Sequence, residues 1–413
     1  MFANEDVMHL RRMSYKLRQN NPAFDKFYLP LNDFLNLEEI TAAIRLNETV
    51  EEVSVFMEYL EDDWLVTDIW RIFRALGNLP KLQRLVFDFI GSDGDELPLS
   101  LLTAAVRPAS KVTALELSCV HLAGSEDDIR RFAQSLRQKS WKKIEIYGCF
   151  LDPETRKKSS LNPILNEMAS FSTLKDVTIT ALDFNSLGSF SGESLGRLIR
   201  QNQSIKCLVL GEFNLNDEHI VPMSEALEEN QSLTELSIGC NLESKGTFAL
   251  ANMIRTNRTL ESLHLDLTTL VDGESNHIAL AESLGSNDKI KRFSIFGTKG
   301  NITAKAQLRF AQMLEHNFSL EELEFQDEDE DASPSIEMYL TLNSLGRRDL
   351  LHNQSTTKED WVSALCNVHD NEACIFYLLS LNPALCNVDA LDTTDASEEE
   401  KRGTKRKLFE EAP

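Results

Sequence analysis

The chain has 413 residues, of which 42% are hydrophobic and 26% are charged, a balance typical of globular proteins. Its formal net charge of −24 disfavours generic binding to nucleic acids or anionic membranes, because both require an excess of lysine and arginine. The seven cysteines include no C-x-x-C pair, and no apolar run approaches the length of a membrane span. We therefore expect an intracellular protein, cytoplasmic or nuclear, without structural disulfides.

The first 48 residues are polar and then mixed in composition. Within them, Phe24-x-x-Phe27-x-Leu29 has the spacing of a strand motif that recurs later in the chain. Residues 1–48 are therefore predicted to form an N-terminal cap with a possible degenerate first repeat.

The motif L-x-x-L-x-L recurs through residues 49–332, with a mean step of 30 residues between successive copies. Amphipathic runs such as MSEALEEN precede the copies and indicate helices, whereas LTELSI indicates a strand. One such unit cannot bury its apolar face alone, so the units must stack. The pattern predicts an α/β leucine-rich repeat solenoid of about ten repeats, with a concave parallel sheet and convex helices. The motif begins at Val50, Leu82, Val112, Trp141, Leu174, Ile205, Leu233, Leu260, Ile290 and Leu320.

Asparagine stands three residues before the motif in five repeats, each time within an N-x-S/T sequon, at Asn47, Asn202, Asn230, Asn257 and Asn317. We interpret this residue as structural. Asparagine tolerates the left-handed conformation that ends many helices, and its side chain can bond free backbone groups. Glycosylation would not explain the shared phase, so these sequons are expected to be unoccupied.

The end of the chain differs in composition from the repeats. Residues 333–388 contain IEMYLTLNSLGRRDLL, TKEDWVSAL and ACIFYLLSL, which predict helices that cap the open end of the stack. Residues 389–413 are polar and poor in aromatics, which predicts a disordered charged tail. Five basic residues in this tail resemble a short nuclear import signal, with a charge-balancing tail as the alternative. They are Lys401, Arg402, Lys405, Arg406 and Lys407.

The variable residues around the second apolar position of each strand are predicted to lie on the concave face, because strand side chains alternate. Nine acids occupy thirty such positions, whereas 66 acids in 413 residues would predict ~5. An acidic face attracts basic proteins, and aromatic side chains serve as anchors. The predicted partner-binding residues are Glu52, Phe56, Asp88, Glu116, Glu145, Tyr147, Asp176, Glu235, His264, Asp266, Phe296, Glu322 and Glu324; the bases counted with them are Arg84, Lys143 and Arg292.

The segment LEENQSLTELSIGCN, residues 227–241, resembles the ribonuclease-inhibitor class of leucine-rich repeats, and the resemblance extends from about Thr41 to Phe325. It implies a horseshoe fold. It does not single out a function, since the class includes inhibitors, GTPase activators, receptor sensors and scaffolds. The C-terminal sequence that begins IEMYLTLNSLGRRDLL is similar to the end of uncharacterised repeat proteins of diatoms and related algae.

The motif search gives no reason to expect catalysis, a cofactor or a metal site. The eight histidines include no H-E-x-x-H, and the glycine-rich stretch GSFSGESLG lacks the lysine of a phosphate loop. The spaced acids Asp327, Asp329 and Asp331 are followed by Ala332 and Met338, where a calcium loop requires glycine and glutamate.

The sequence therefore predicts a non-enzymatic protein–protein interaction scaffold that binds a protein with a basic surface on its acidic concave face. Nucleic acid, membrane and cofactor are not expected as partners, and the oligomeric state is left open. The alternative is a regulator of a small GTPase of the RanGAP-like kind. That function requires an arginine in a defined repeat loop, which the sequence does not identify.

Overall fold

The computed structural model describes residues 3–31, 37–57, 66–89, 96–137, 139–151, 160–181, 190–270, 273–296, 302–325, 334–353 and 355–386. The predicted disordered tail and the import signal at residues 401–407 lie outside these residues, as do the spaced acids at 327–331. The boundaries of the four regions predicted from the sequence, 1–48, 49–332, 333–388 and 389–413, stay predictions.

Eleven strands form one parallel sheet in the order β1-β2-β3-β5-β7-β8-β9-β10-β11-β12-β13, with β4 and β6 beside it. Each strand pairs with the strand of the preceding repeat, and this confirms the α/β leucine-rich repeat solenoid. The strands are β1 Lys26–Leu31, β2 Glu52–Met57, β3 Arg84–Asp88, β4 Glu96–Pro98, β5 Ala114–Ser118, β6 His121–Ala123, β7 Lys143–Leu151, β8 Asp176–Ala181, β9 Cys207–Leu215, β10 Glu235–Leu242, β11 Ser262–Leu270, β12 Arg292–Phe296 and β13 Glu322–Phe325.

The helices form a second layer outside the sheet, and neighbouring helices pack against each other in chain order. Within the described residues, no helix is long and apolar enough to cross a bilayer. The repeat helices are α1 Ala3–Arg18, α2 Leu37–Arg45, α3 Val66–Gly77, α4 Leu99–Val106, α5 Glu126–Ser135, α6 Asn162–Met168, α7 Gly192–Gln201, α8 Asp217–Glu229, α9 Ser244–Thr256, α10 Gly273–Leu284 and α11 Ala304–His316; the terminal ones are α12 Pro334–Ser344, α13 Arg347–His352, α14 Lys358–Asn367 and α15 Glu372–Leu381, with a 3-10 turn at Pro383–Cys386.

The hydrophobic core lies between the two layers and runs without a break from Met13 to Ile336. In β3, Leu85 and Phe87 point into this core, and the Phe87 ring stacks on Phe73 of α3 with centroids 5.3 Å apart. The same alternation leaves the other side chains of the strand on the concave face. The terminal helices enclose a smaller cluster that includes Trp361, Cys374 and Leu378.

A ladder of buried asparagines joins neighbouring repeats, mostly at points where a helix leads into its strand. The Asn230 carboxamide oxygen accepts from the backbone N–H of Ser232 at 2.9 Å and of Leu233 at 2.8 Å. Its Nδ2 donates to the carbonyl oxygen of Ile199, one repeat earlier, at 2.6 Å. Equivalent bonds to the preceding repeat are made by Asn47, Asn202, Asn257, Asn287, Asn317 and Asn343. The ladder therefore satisfies backbone groups that the short turn leaves free.

The prediction of a left-handed asparagine was wrong. Asn202, Asn230, Asn257 and Asn317 all have extended backbone, for example φ −72° and ψ 131° at Asn230. The carboxamide closes the turn between helix and strand while the asparagine backbone stays extended. The predicted role in satisfying backbone groups is what these side chains perform. Since each is at most 4% exposed, the folded chain leaves no room for a glycan on them.

The ladder ends on the terminal helices rather than on another repeat. Asn343 of α12 donates to the carbonyl oxygens of Asn317 and Leu320 at 3.0 and 2.7 Å. Arg347 of α13 is fully buried, and its Nη2 donates to the carbonyls of Leu314 and Asn317 at 2.6 and 2.8 Å. Helices α12 and α13 therefore donate the hydrogen bonds to the carbonyl groups of the last repeat that a further repeat would otherwise donate.

Candidate concave interaction surface

The strand registers align the outward-facing side chains of the sheet in rows that cross the concave face. The first row consists of Lys26, Glu52, Arg84, Ala114, Lys143, Asp176, Cys207, Glu235, Ser262, Arg292 and Glu322. The second row consists of Tyr28, Ser54, Val86, Glu116, Glu145, Thr178, Val209, Ser237, His264, Ser294 and Glu324. The third row includes Phe56, Asp88, Ser118, Tyr147, Thr180, Asp266 and Phe296. All thirteen predicted partner-binding residues stand in these rows, although no contact with a partner tests that role.

The N-terminal half of this surface carries a continuous network of ion pairs. Arg84 lies between two carboxylates, at 3.2 Å from Glu52 and 2.6 Å from Glu116. Lys26 extends the network to the first strand, 3.2 Å from Glu52. Lys143 extends it in the other direction, 3.6 Å from Glu116 and 2.9 Å from Glu145. Three of the predicted binding acids are therefore already neutralised within the chain.

The C-terminal half retains most of the unpaired negative charge. Asp176, Asp266, Glu322 and Glu324 make no ion pair with any residue that the structure describes. Glu235 pairs with Arg292 at 3.2 Å, but both side chains are half exposed, so solvent screens the pair strongly. The negative potential of the concave face is consequently strongest from β8 to β13.

Cys207 lies within this potential, because it stands between Asp176 and Glu235 in the first row. Partial burial and then the charges of Glu235 and Asp176 raise the pKa of the Cys207 thiol to about 11. The thiol is therefore protonated at neutral pH and is a poor nucleophile.

Aromatic side chains lie at three places on the same surface. Tyr147 is 57% exposed at the centre, where no neighbouring aromatic covers it in the described part of the chain. Towards β13, the rings of His264 and Phe296 lie 4.9 Å apart, and the His264 Nδ1 is 2.9 Å from the Ser294 hydroxyl. At the N-terminal end, Tyr28 stacks on Phe56 with centroids 6.0 Å apart. Exposed aromatics of this kind supply large contact areas at low entropic cost.

Two residues of the surface, Lys26 and Tyr28, were missed by the sequence analysis, which counted strands only from Val50. The signal was present, since Phe24-x-x-Phe27-x-Leu29 had the strand spacing, and β1 pairs with β2 throughout its length. One carboxylate oxygen of Asp88 is buried without a hydrogen-bond partner among the described residues, so this side chain presents less of its surface to a partner than the sequence predicts.

The described residues of this surface give little support for metal binding or thiol chemistry. Within the described ranges, histidine, cysteine and acidic side chains form no cluster that could hold a metal ion. The buried thiols of Cys149 and Cys240 lie in the apolar layer, where burial raises the pKa of each well above its usual value. The arrangement of charged rows and exposed rings is suited to contact with another macromolecule.

Comparisons with known proteins include a partial relative. No family model matches the chain. Leucine-rich repeat-containing protein 45 of Gallus gallus is 27% identical over 119 residues, which cover 29% of this chain and only 18% of that protein. The match agrees with the repeat fold seen here, and it assigns no activity to the chain.

Two of the similar solved structures illustrate a limited likeness. The actin-binding site 2 of leiomodin-1 gives a TM-score of 0.34 at 20% identity and covers 38% of this chain and 90% of that one. The tropomodulin C-terminal domain of Caenorhabditis elegans gives 0.32 at 17% identity, with coverages of 38% and 96%. The resemblances to the ribonuclease-inhibitor class and to algal repeat proteins stay expectations.

Proposed function

We propose that the chain is a non-enzymatic protein-interaction scaffold that binds a protein with a basic surface on its concave face. One observation carries the proposal. Between β8 and β13 the concave face holds four carboxylates that form no ion pair with a described residue, Asp176, Asp266, Glu322 and Glu324, beside the exposed ring of Tyr147 and the partly buried ring of Phe296. Charge for attraction and aromatic area for contact therefore occur together on one surface.

Electrostatics favours a basic partner for this surface. Counting Lys26, the concave rows contain nine acids and four bases, so the face is negative even after internal pairing. A concave surface of one sign concentrates the potential and raises the association rate of an oppositely charged protein. The paired acids of the N-terminal half contribute less to this attraction, because they already form ion pairs with Arg84 and Lys143.

The two halves of the surface are assigned different roles on this basis. The half from β8 to β13 attracts the basic partner. The network of ion pairs around Arg84 instead holds side chains of β2, β3 and β5 in fixed positions. Tyr147 lies on the boundary between the halves, in register with Thr180 of β8. It is the aromatic anchor that we expect to contribute most to the stability of the complex.

Capture from native lysate followed by mass spectrometry identifies the partner, and stopped-flow kinetics then tests the proposal. We expect the association rate constant to fall steeply as the ionic strength rises, while the dissociation rate constant changes little. Association that does not depend on salt would contradict binding to an acidic surface. The variant Tyr147→Ala should instead increase the dissociation rate constant, because it removes a contact and no charge.

The alternative function, regulation of a small GTPase, depends on an arginine in a repeat loop. The segments 58–65, 90–95 and 182–189, which follow strands or link repeats, lie outside the described residues. That hypothesis stays a prediction from the sequence, and a GTPase-stimulation assay with the whole chain decides it.

A further inference from the structure

A groove on the outer, helical side of the solenoid lies over α4. Its walls are Trp70 and Arg74 of α3 and Asp128 and Arg131 of α5, and its volume is about 670 Å³. The floor consists of the small residues that α4 turns outward, Ser100, Thr103 and Ala104, with Arg107 and Pro108 at one end. Because α4 presents no bulky side chain between its two neighbours, the helical layer is locally sunken.

The groove is basic in a strongly acidic chain. Its described lining residues include three arginines and one aspartate, whereas the whole chain has a net charge of −24. Arg74 and Arg107 make no ion pair with any residue that the structure describes. Arg131 approaches a carboxylate only loosely, at 3.7 Å from Asp128. Two guanidinium groups that form no ion pair with a described residue therefore line one cavity.

The positions of these groups favour a compact anion. The guanidinium of Arg74 lies over the ring of Trp70, 5.2 Å from its centroid, so its orientation is held by stacking. Asp128, the acidic side chain among the described lining residues, is held in place by Ser125. Its Oδ2 accepts from the backbone N–H of Ser125 at 2.9 Å and from the Ser125 hydroxyl at 2.7 Å. These hydrogen bonds lower the pKa of Asp128 and fix its carboxylate at the start of α5.

We propose that this groove binds the phosphorylated serine or threonine of a peptide, with Arg74 and Arg107 as the phosphate ligands. Arginine forks match phosphate geometry, and a phosphoryl group carries nearly two negative charges. The Ser100 hydroxyl, which lines the groove, is a further donor. A peptide with many dispersed acids fits less well, because the rest of the chain repels it.

Fluorescence polarisation tests this with three labelled peptide pools that share degenerate flanks around a central phosphoserine, serine or glutamate. The probe is the phosphoserine pool, and inorganic phosphate is the competitor. We expect the full chain to bind the phosphoserine pool at least tenfold more tightly than the serine pool. The double variant Arg74→Gln/Arg107→Gln should weaken that binding about tenfold or more.

The matched control is Lys245→Gln/Arg255→Gln, which removes two exposed charges from α9, where neither residue forms an ion pair with a described residue. It should bind the phosphoserine pool as the unaltered chain does. Equal binding of the three pools, or an equal loss in the control variant, would overturn the proposal. So would tighter binding of phosphatidylserine vesicles than of peptide through the same two arginines. Because the groove and the concave face are separate, failure here leaves the concave-face proposal unaffected.

Discussion

Arg84 of β3 binds Glu116 of β5 through two hydrogen bonds, from Nη2 at 2.6 Å and from Nε at 3.0 Å. The residues are 32 positions apart in the sequence. The strand register places them diagonally across neighbouring strands, with Arg84 in the first row and Glu116 in the second. A fork of this kind fixes both side chains, so it makes this part of the concave face rigid as well as neutral.

The first prediction concerns this pair. We expect Arg84→Gln to lower the free energy of unfolding by about 1 kcal/mol or less, because the Arg84 side chain is 40% exposed and solvent screens the interaction. A double-mutant cycle with Glu116→Gln, measured by urea unfolding, should give a coupling energy of roughly 0.5 kcal/mol that falls with added salt. A coupling energy of zero would mean that the two side chains do not interact in solution.

The asparagine ladder should contribute more to stability than the surface ion pairs. Asn230→Ala leaves the N–H groups of Ser232 and Leu233 and the Ile199 carbonyl without partners in a buried turn. We expect the free energy of unfolding to fall by roughly 2–4 kcal/mol. The exposed neighbour Gln231→Ala is the control and should change it by about 0.5 kcal/mol or less. Similar melting temperatures for the two variants would contradict the role assigned to the ladder.

Cys207 provides a measure of the concave potential without a partner. Since its pKa is raised to about 11, alkylation by iodoacetamide should be slow at neutral pH and should accelerate up to about pH 11. Changing Asp176→Asn and Glu235→Gln removes two of the charges that disfavour the thiolate, so the rate should increase severalfold. Peptide mass spectrometry separates Cys207 from the exposed Cys366 and Cys386. An unchanged rate would show that burial alone protects the thiol.

His277 of α10 predicts a pH-dependent stability. It is 3% exposed, its Nε2 has no hydrogen-bond partner among the described residues, and burial lowers its pKa to about 4. A lowered histidine pKa means that the unfolded chain binds the proton more tightly. The contribution is therefore fully present above about pH 6.5 and is lost as the pH falls towards 4.

The variant His277→Leu isolates this contribution. Between neutral pH and about pH 5, the unaltered chain should lose roughly 2 kcal/mol more stability than the variant does. His369→Gln, at an exposed position, should behave as the unaltered chain does. Parallel pH profiles for the unaltered chain and His277→Leu would show that the buried imidazole becomes protonated without cost.

The repeat motif was sufficient to predict the fold, because each L-x-x-L-x-L copy specifies which side chains of a strand are buried. Leu236 and Ile238 of β10 are buried in this way, and Ser237 between them faces outward. The ion pairs were not predictable. The Arg84–Glu116 contact depends on the register of two strands 32 residues apart, and spacing within one repeat carries no information on it.

The groove over α4 could not be predicted from the sequence either. A helix with small outward residues such as Ser100 and Ala104 forms a cavity only if the neighbouring helices stand higher, which depends on how the repeats pack. Likewise, the motif indicated that Asn230 closes a turn, yet the choice between a left-handed and an extended backbone depended on the carbonyl groups of the preceding repeat.

The most direct test of binding on the acidic concave face compares the affinity of two variants of the whole chain for the captured partner. The concave variant carries Asp176→Asn, Asp266→Asn, Glu322→Gln and Glu324→Gln, and it leaves the paired Glu145 and Glu235 unchanged. The control variant removes the same charge from exposed sites away from the concave rows, with Glu225→Gln, Glu243→Gln, Glu315→Gln and Asp370→Asn. We expect the concave variant to bind about tenfold or more weakly, mainly through a slower association, and the control to bind as the unaltered chain does. Unchanged affinity in a concave variant with unchanged melting would contradict the account and place the binding site elsewhere.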